Sequence, residues 1–146
     1  MSTLKSPQIE AVLEYFRAID SDGFSAQLFT EDFQFFFPKF GIGNGPAEFG
    51  ELAAGLIPTF RRIVHHRDEF EITEAGNKVI VEGITEGEGA DGRTWRGKQT
   101  PAGRFCSVFA FNGEGLIERM HIYLDPDYTG THRAKFLWNR GDRQRW

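Results

Sequence analysis

The sequence has little cysteine and no long apolar run. Cys106 is the single cysteine among 146 residues, so a disulfide within the chain and a cysteine-rich metal site are both excluded. No stretch approaches the apolar length that spans a bilayer. The first residues, MSTLKSPQIE, lack a basic segment followed by an apolar one. We therefore expect a cytoplasmic protein that does not associate with membranes.

Basic charge is also scarce. The chain has 17 Lys and Arg against 21 Asp and Glu, a formal charge of −4, which argues against a nucleic-acid partner. Residues 132–146 are the exception, with five Lys or Arg and one Asp, so that the rest of the chain carries a formal charge of about −8. This basic tail either contacts an acidic partner or packs on the acidic body of the same chain.

Phenylalanine, in contrast, is abundant. The chain contains 15 Phe beside 3 Tyr and 3 Trp, and Phe offers a large apolar surface with no polar group. A domain of this size rarely needs so many for its core, so we expect some of the rings to line a cavity. The length predicts one domain over residues 1–146, made of a core at 1–128 and the basic tail at 129–146.

The hydrophobic pattern predicts helices first and strands last. A helix is expected over Pro7–Asp20, with Ser6 as its N-cap and its apolar side chains on one face. An aromatic strand, Phe33–Phe37, follows, and a second long helix begins at Pro46. This order is typical of the α+β class with a meandering antiparallel sheet. The later strands are predicted at Ile63–Thr73, Lys78–Glu88, Arg104–Asn112 and Leu116–Asp125, and a flexible loop at Gly41, Gly43 and Gly45.

Three stretches carry a resemblance to a known superfamily. They are EYFRAIDSDGFSAQLFTEDFQFFFP, VIVEGITEGEG and RFCSVFAFNGEGLIERMHIYLD. Over roughly Ile9–Tyr128 the chain resembles the nuclear-transport-factor-like superfamily, in its SnoaL-like and ketosteroid-isomerase-like branch. The resemblance implies a curved antiparallel sheet wrapped around the N-terminal helices, forming a cone with an apolar pocket. It also implies a homodimer formed through the convex side of the sheet.

The catalytic residues of ketosteroid isomerase carry over only in part. Tyr15 stands where that enzyme has the oxyanion-hole Tyr of its first helix. The general-base Asp, which precedes a Pro, is replaced by Phe37, and the protonated Asp of the oxyanion hole by Ser107. The resemblance therefore argues against ketosteroid isomerisation by that mechanism. The inward positions that it assigns to substrate binding are Tyr15, Phe37, Ser107, Phe109, Met120 and Ile122.

The segment HHRDEFEI supplies the predicted acid or base. Strand alternation places His66 and Asp68 on the same face as Phe70, which we expect to point inward, and leaves His65 facing outward. Related dehydratases and cyclases are similar in placing a histidine on the strand after the long helix. His66, supported by Asp68, is thus the predicted proton-transfer residue; the alternative is a solvated histidine at a strand end.

Two further carboxylates are candidates for catalysis. Alternation groups Glu82 with Ile80 and Ile84, where an ionised carboxylate is costly unless it is paired. It is therefore a second predicted base, and the alternative is an ion pair with Arg104. Asp125 is predicted to lie at the rim of the pocket, although the DPDY sequence that it begins also favours a turn.

Large aromatics could close the pocket or pack the tail. Trp95, Trp138 and Phe136 are the residues concerned, and both interpretations stay open. His121 and Tyr123 are expected on the convex side of the sheet. No metal site is predicted, because adjacent histidines on a strand point apart and the spacing of the others matches no ligand set. The histidines are His65, His66, His121 and His132.

Three functional hypotheses follow. The first is an enzyme without a cofactor, an isomerase, dehydratase, cyclase or other lyase, that acts by acid–base catalysis on a small apolar or aromatic molecule. The second is a protein of the same fold that binds such a ligand without changing it. The third is a structural dimerisation domain whose cone is filled by Phe side chains.

Overall fold

The helices and strands follow the predicted order. The computed structural model describes residues 4–97, 102–125, 127 and 133–137. Within these ranges the helices are α1 (Pro7–Asp20) and α2 (Gly45–Leu56). The strands are β1 (Phe29–Phe37), β2 (Gly41–Asn44), β3 (Phe60–His65), β4 (Glu71–Ala75), β5 (Lys78–Gly89), β6 (Thr94–Arg96), β7 (Arg104–Phe111) and β8 (Ile117–Leu124).

Helix α1 forms where the local sequence predicts it. The Ser6 hydroxyl accepts a hydrogen bond from the Ile9 amide at 3.2 Å, and Pro7 occupies the first helical turn. One face of the helix buries Val12, Tyr15 and Phe16 against the sheet. Neither of the helices in the described part of the chain is long and apolar enough to cross a membrane.

The strands form one eight-stranded sheet, in which six strands lie in the order β2-β1-β8-β7-β5-β3. The long strand β5 pairs with β4 and β7 through its first half and with β3 and β6 through its second. The α+β class is thus confirmed. The sheet is mixed, however, because β1 runs parallel to β8. No short hairpin joins these two strands, so local turn chemistry does not set their relative direction.

The inner face of the sheet is packed with aromatic rings. Phe residues from α1, β1 and β7 contact one another at ring-centroid distances such as 4.5 Å for Phe29 and Phe33 and 5.5 Å for Phe16 and Phe105. Met120 and Ile122 of β8 complete the same cluster. Much of the excess of Phe therefore forms a packed core rather than the wall of an open cavity.

Two local predictions were wrong. The expected strand Ile63–Thr73 is broken, because β3 ends at His65 and a 3₁₀ turn, Arg67–Glu69, precedes β4. The expected glycine loop instead contains strand β2, which pairs with the end of β1. Gly43 suits that position because the Phe35 ring lies over it; an added Cβ would be 2.2 Å from the Cζ atom of Phe35.

Candidate functional site

A histidine and an aspartate form a hydrogen-bonded pair at the edge of the aromatic core. The Nδ1 atom of His65 lies 2.7 Å from Oδ1 of Asp20, and both side chains are largely buried, with 13% and 10% of their surface exposed. An ionised carboxylate can only accept hydrogen bonds, so Nδ1 of His65 is the donor of this bond. The bond to Asp20 therefore fixes the orientation of the imidazole ring and leaves Nε2 as the other ring nitrogen.

The backbone fixes the orientation of this carboxylate. The amide of His65 donates to Oδ2 of Asp20 at 3.1 Å, so one residue holds both carboxylate oxygens. Asp20 is also the last residue of α1, where a negative charge opposes the helix dipole and a positive charge is favoured. The two hydrogen bonds therefore hold the imidazole of His65 at the C-terminal end of α1.

Phenylalanine rings enclose the imidazole. The His65 ring centroid lies 5.1 Å from that of Phe16 on α1 and 5.3 Å from that of Phe105 on β7. Phe70 packs against both of these phenylalanines, at 4.8 and 5.6 Å. The apolar surroundings reduce screening by water, so the interaction of His65 with Asp20 is stronger than it would be in solvent.

Tyr15 is a buried residue of α1, the helix that ends at Asp20. Burial, and to a smaller extent the charge of Asp20, raises the pKa of Tyr15 well above its ordinary value. Its ring packs against Phe16, Phe29 and Phe109. The hydroxyl therefore stays protonated at neutral pH and is able to act as a hydrogen-bond donor.

Ser107 places a second hydroxyl in the core. It is the next inward-facing residue after Phe105 on β7, and it is fully buried. Its Oγ atom has no hydrogen-bond partner among the described residues. An unpaired buried hydroxyl costs roughly 1–3 kcal/mol, and a ligand oxygen would satisfy it.

The predicted facing of the two histidines was wrong. His66, expected to point inward, is about one-third exposed, with Nδ1 3.3 Å from Glu69 and Nε2 3.6 Å from Glu86. His65, expected to point outward, is the histidine that contacts the core. The prediction assigned the inward-facing residues by counting back in steps of two from Phe70. The 3₁₀ turn between His66 and Phe70 breaks that alternation.

The predicted facing of Glu82 was also wrong. Its side chain is 61% exposed on the outer face of β5. Its Oε1 atom lies 3.9 Å from Nη1 of Arg104, which agrees with the alternative prediction of an ion pair. Val81 and Gly83 are the buried neighbours on the inner side. Cys106, which pairs with Glu82 across the sheet, has its pKa raised by burial and by that carboxylate.

The other predicted carboxylates lie at the surface. Asp68 is exposed in the 3₁₀ turn, and Asp125 is exposed where its Oδ1 accepts the amide of Asp127 at 2.9 Å, in a turn. The structure therefore does not bring Asp68, Glu82 and Asp125 together with His66 on one inner face. No cluster of metal-binding side chains suitable for an ion is present in the described ranges.

The predicted substrate-binding residues are mostly core residues. Tyr15, Phe37, Ser107, Phe109, Met120 and Ile122 are all buried, and apart from Ser107 they belong to one hydrophobic cluster. Trp95 is buried separately, and its indole N–H donates to the hydroxyl of Thr85 at 3.0 Å. Phe136 is exposed, whereas Trp138 and His132 lie outside the described residues.

The outer face of the sheet is polar at one end and aromatic in the middle. As predicted, His121 and Tyr123 lie there; Nε2 of His121 bonds to the Gln34 side chain at 2.8 Å, and its ring contacts Phe36. Burial, aided by Arg119, lowers the pKa of His121, which favours its neutral form. A groove of about 430 Å³ on this face is lined by Asp32, Gln34, Asn77, Lys78, Ala110, Glu118 and Arg119.

The partner of His65 was missed by sequence reasoning. Asp20 lies 45 residues before it and belongs to another element. The available signal was a carboxylate in the last turn of α1, where a basic residue is usual. A carboxylate at that end of a helix is electrostatically unfavourable, and contact with a cationic side chain would offset the repulsion.

Comparison with solved structures now identifies the architecture. The chain superposes on an NTF2-like protein of unknown function from Burkholderia pseudomallei with a TM-score of 0.69, at 16% identity over 84% of this chain and 93% of that one. The fold is NTF2-like. This confirms the predicted cone-type α+β fold at the level of architecture.

Other NTF2-like structures give the same result. A candidate SnoaL-like polyketide cyclase from a Jannaschia species matches with a TM-score of 0.65, at 17% identity over 84% of this chain and 88% of that one. TerC, co-crystallised with polyporic acid, matches with a TM-score of 0.67, at 21% identity over 82% and 92%. No protein-family model and no curated protein matches the sequence. At these identities the likeness establishes the fold, and function has to be argued from the site.

Proposed function

We propose that this protein is an acid–base enzyme that needs no cofactor and acts on a small, largely aromatic molecule. The observation that carries the proposal is the Asp20–His65 pair, a buried carboxylate that orients an imidazole beside aromatic rings. A histidine held in this way is suited to take a proton from carbon at neutral pH. Isomerisation, dehydration and cyclisation all begin with that step, so the proposal covers this group of reactions.

The proposed proton transfer uses His65 and Asp20 together with a hydroxyl group from Ser107 or Tyr15. Nε2 of His65 accepts the proton from a carbon next to a carbonyl, and the electrons of the broken C–H bond move into the enolate. Asp20, bonded to Nδ1, stabilises the imidazolium that results. Ser107 or Tyr15 donates a hydrogen bond to the enolate oxygen. The imidazolium then returns the proton to carbon or to a leaving hydroxyl.

The substrate class follows from the walls of the site. Phe16, Phe70 and Phe105 offer apolar ring surface beside His65, and aromatic ligands pack well against such rings. TerC, a structure of the same fold, was co-crystallised with polyporic acid, which supports a small organic ligand for this fold. Because the rings now pack against one another, ligand entry requires them to rotate apart.

Exchange of carbon-bound hydrogen with solvent tests the proposal directly. The purified protein is incubated with β-tetralone, a bicyclic aromatic ketone, in D₂O, and loss of the α-proton signal is followed by NMR. We expect exchange above the buffer background. A ligand that binds but is recovered without deuterium would favour the binding-protein hypothesis instead, which the replacement of the usual Asp by Phe37 supports.

Replacing Ser107 by Ala should separate stability from function. The change removes a buried hydroxyl that has no partner among the described residues, so we expect the free energy of unfolding to rise by about 1 kcal/mol. Isotope exchange should become slower, because the donor to the enolate oxygen is lost. Urea denaturation and the exchange assay measure the two effects. A destabilised variant with an unchanged exchange rate would assign Ser107 a packing role only.

We also propose that the protein forms a homodimer through the outer face of the sheet. Tyr123 is 44% exposed there and packs its ring beside Phe36. The adjacent groove carries charges of both signs, Lys78 and Arg119 with Asp32 and Glu118, which a two-fold related copy would complement. Tyr123→Glu should convert dimer into monomer in analytical ultracentrifugation, and Ile57→Glu at the end of α2 should not. A monomeric wild-type protein would contradict the proposal.

A further inference from the structure

A glycine lies beneath the ring that contacts His65. Gly83 on β5 pairs directly with Phe105 on β7, and both face the core. A Cβ atom built at Gly83 would lie 2.6 Å from Cζ of Phe105 and 2.8 Å from Cδ1 of Phe70. Carbon atoms in contact normally stand about 3.5–4.0 Å apart. The absence of a side chain at position 83 therefore lets both rings approach the backbone of the strand closely.

The position of Phe105 is passed on to the histidine. Its ring is held between Phe16, Phe70 and His65, at centroid distances of 5.5, 5.6 and 5.3 Å. In a close-packed cluster of this kind, displacing one ring also shifts the side chains that it contacts. A side chain at position 83 would therefore push Phe105 toward His65 and disturb its hydrogen bond to Asp20.

We infer that Gly83 is a positioning residue for the Asp20–His65 pair. Its backbone does not need the left-handed conformation that favours glycine, because Gly83 is not among the residues of positive φ. Space, not backbone freedom, is thus what glycine supplies here. Its role in catalysis rests on the proposed function, whereas its role in orienting His65 does not.

The chain provides a matched control. Gly43 on β2 pairs with Phe35 on β1 in the same manner, with a ring carbon 2.2 Å from the built Cβ. The Phe35 ring contacts Phe33 and Phe49 and lies in another part of the core from His65. Gly43→Ala therefore introduces the same kind of crowding at a place where it should not reach the pair.

NMR measures the Asp20–His65 hydrogen bond, and a separate assay measures catalytic activity. In ¹⁵N-labelled protein, the Nδ1 proton of His65 should give a protected signal in the wild type and in Gly43→Ala. In Gly83→Ala the signal should be lost or exchange at least about tenfold faster with solvent, which corresponds to a change of about 1.4 kcal/mol. An unchanged signal in Gly83→Ala would overturn the inference, whether or not the protein has activity.

Activity then provides the second readout. If the wild type exchanges β-tetralone, Gly83→Ala should lower the rate by up to about 10²-fold, the size expected for an ångström of misplacement, while Gly43→Ala keeps the wild-type rate. If no variant has activity, the proposed function fails but the NMR comparison still decides the role of Gly83. Should Gly83→Ala not fold, Phe105→Leu is used instead: a weakened His65 signal supports the inference, and an unchanged one overturns it.

Discussion

His65→Ala is expected to lower the rate of isotope exchange into β-tetralone by about 10²–10⁴-fold, the usual contribution of a general base. The loss follows because Nε2 of His65 is the proposed proton acceptor. His66→Ala is the matched control, since it removes the neighbouring imidazole from the exposed side of the same segment. That variant should keep the wild-type rate. The measurement is the initial rate by NMR, on variants shown by circular dichroism to be folded.

The partner residue gives an independent check. Asp20→Asn keeps one acceptor oxygen, replaces the other with an NH2 donor that faces Nδ1 or the backbone amide of His65, and removes the charge that stabilises the imidazolium. The rate should fall in Asp20→Asn as well, and the double variant with His65→Ala should lose little more than His65→Ala alone, because the two residues act as one unit. A full rate in His65→Ala with a reduced rate in His66→Ala would return the catalytic role to His66.

Phe16→Ala is expected to lower the free energy of unfolding by about 3–5 kcal/mol. The ring is almost fully buried and contacts Tyr15, His65, Phe70, Phe105 and Phe109. Its removal leaves a cavity where α1 meets the sheet. Urea denaturation measures the loss, and Ile57→Ala, at a side chain that is mostly exposed, should change stability by less than about 0.5 kcal/mol.

The same Phe16 variant tests whether the aromatic core is tightly packed. A loss of less than about 1 kcal/mol would mean that the surrounding rings collapse into the space, or that the core is looser than the structure has it. In either case the Phe rings would be free to open around a ligand. A loss in the expected range would instead show that ligand entry has to displace well-packed rings.

Features with local causes were predictable from the sequence. Helix α1 has its N-cap, its proline and its apolar face within one segment, and it forms as expected. Strand β7, predicted as Arg104–Asn112, is observed at Arg104–Phe111, because a short aromatic and apolar run between two turns determines it. The facing of Ile122 inward and of His121 and Tyr123 outward followed from the alternation of residues along β8 and from the resemblance.

The site depends on contacts that the sequence pattern does not contain. A short 3₁₀ turn, Arg67–Glu69, separates β3 from β4, so the inward positions of β4 do not predict those of β3. Because of this turn His65, rather than His66, faces the core. Asp20 meets His65 only after α1 has packed across the sheet. The packing of Phe rings against one another, rather than around a cavity, is likewise a property of the whole core.

The parallel pairing of β1 with β8 has a consequence for how the chain folds. β8 pairs with β1 only after most of the polypeptide has been synthesised, since the contact between Gln34 and His121 spans 87 residues. Until then, the one strand that pairs with β1 among the described residues is the four-residue β2. Closing so long a loop is entropically costly, so contacts of this kind slow folding. A nascent chain that stops before Ile117 would therefore expose the aromatic face of β1 to chaperones or to other chains.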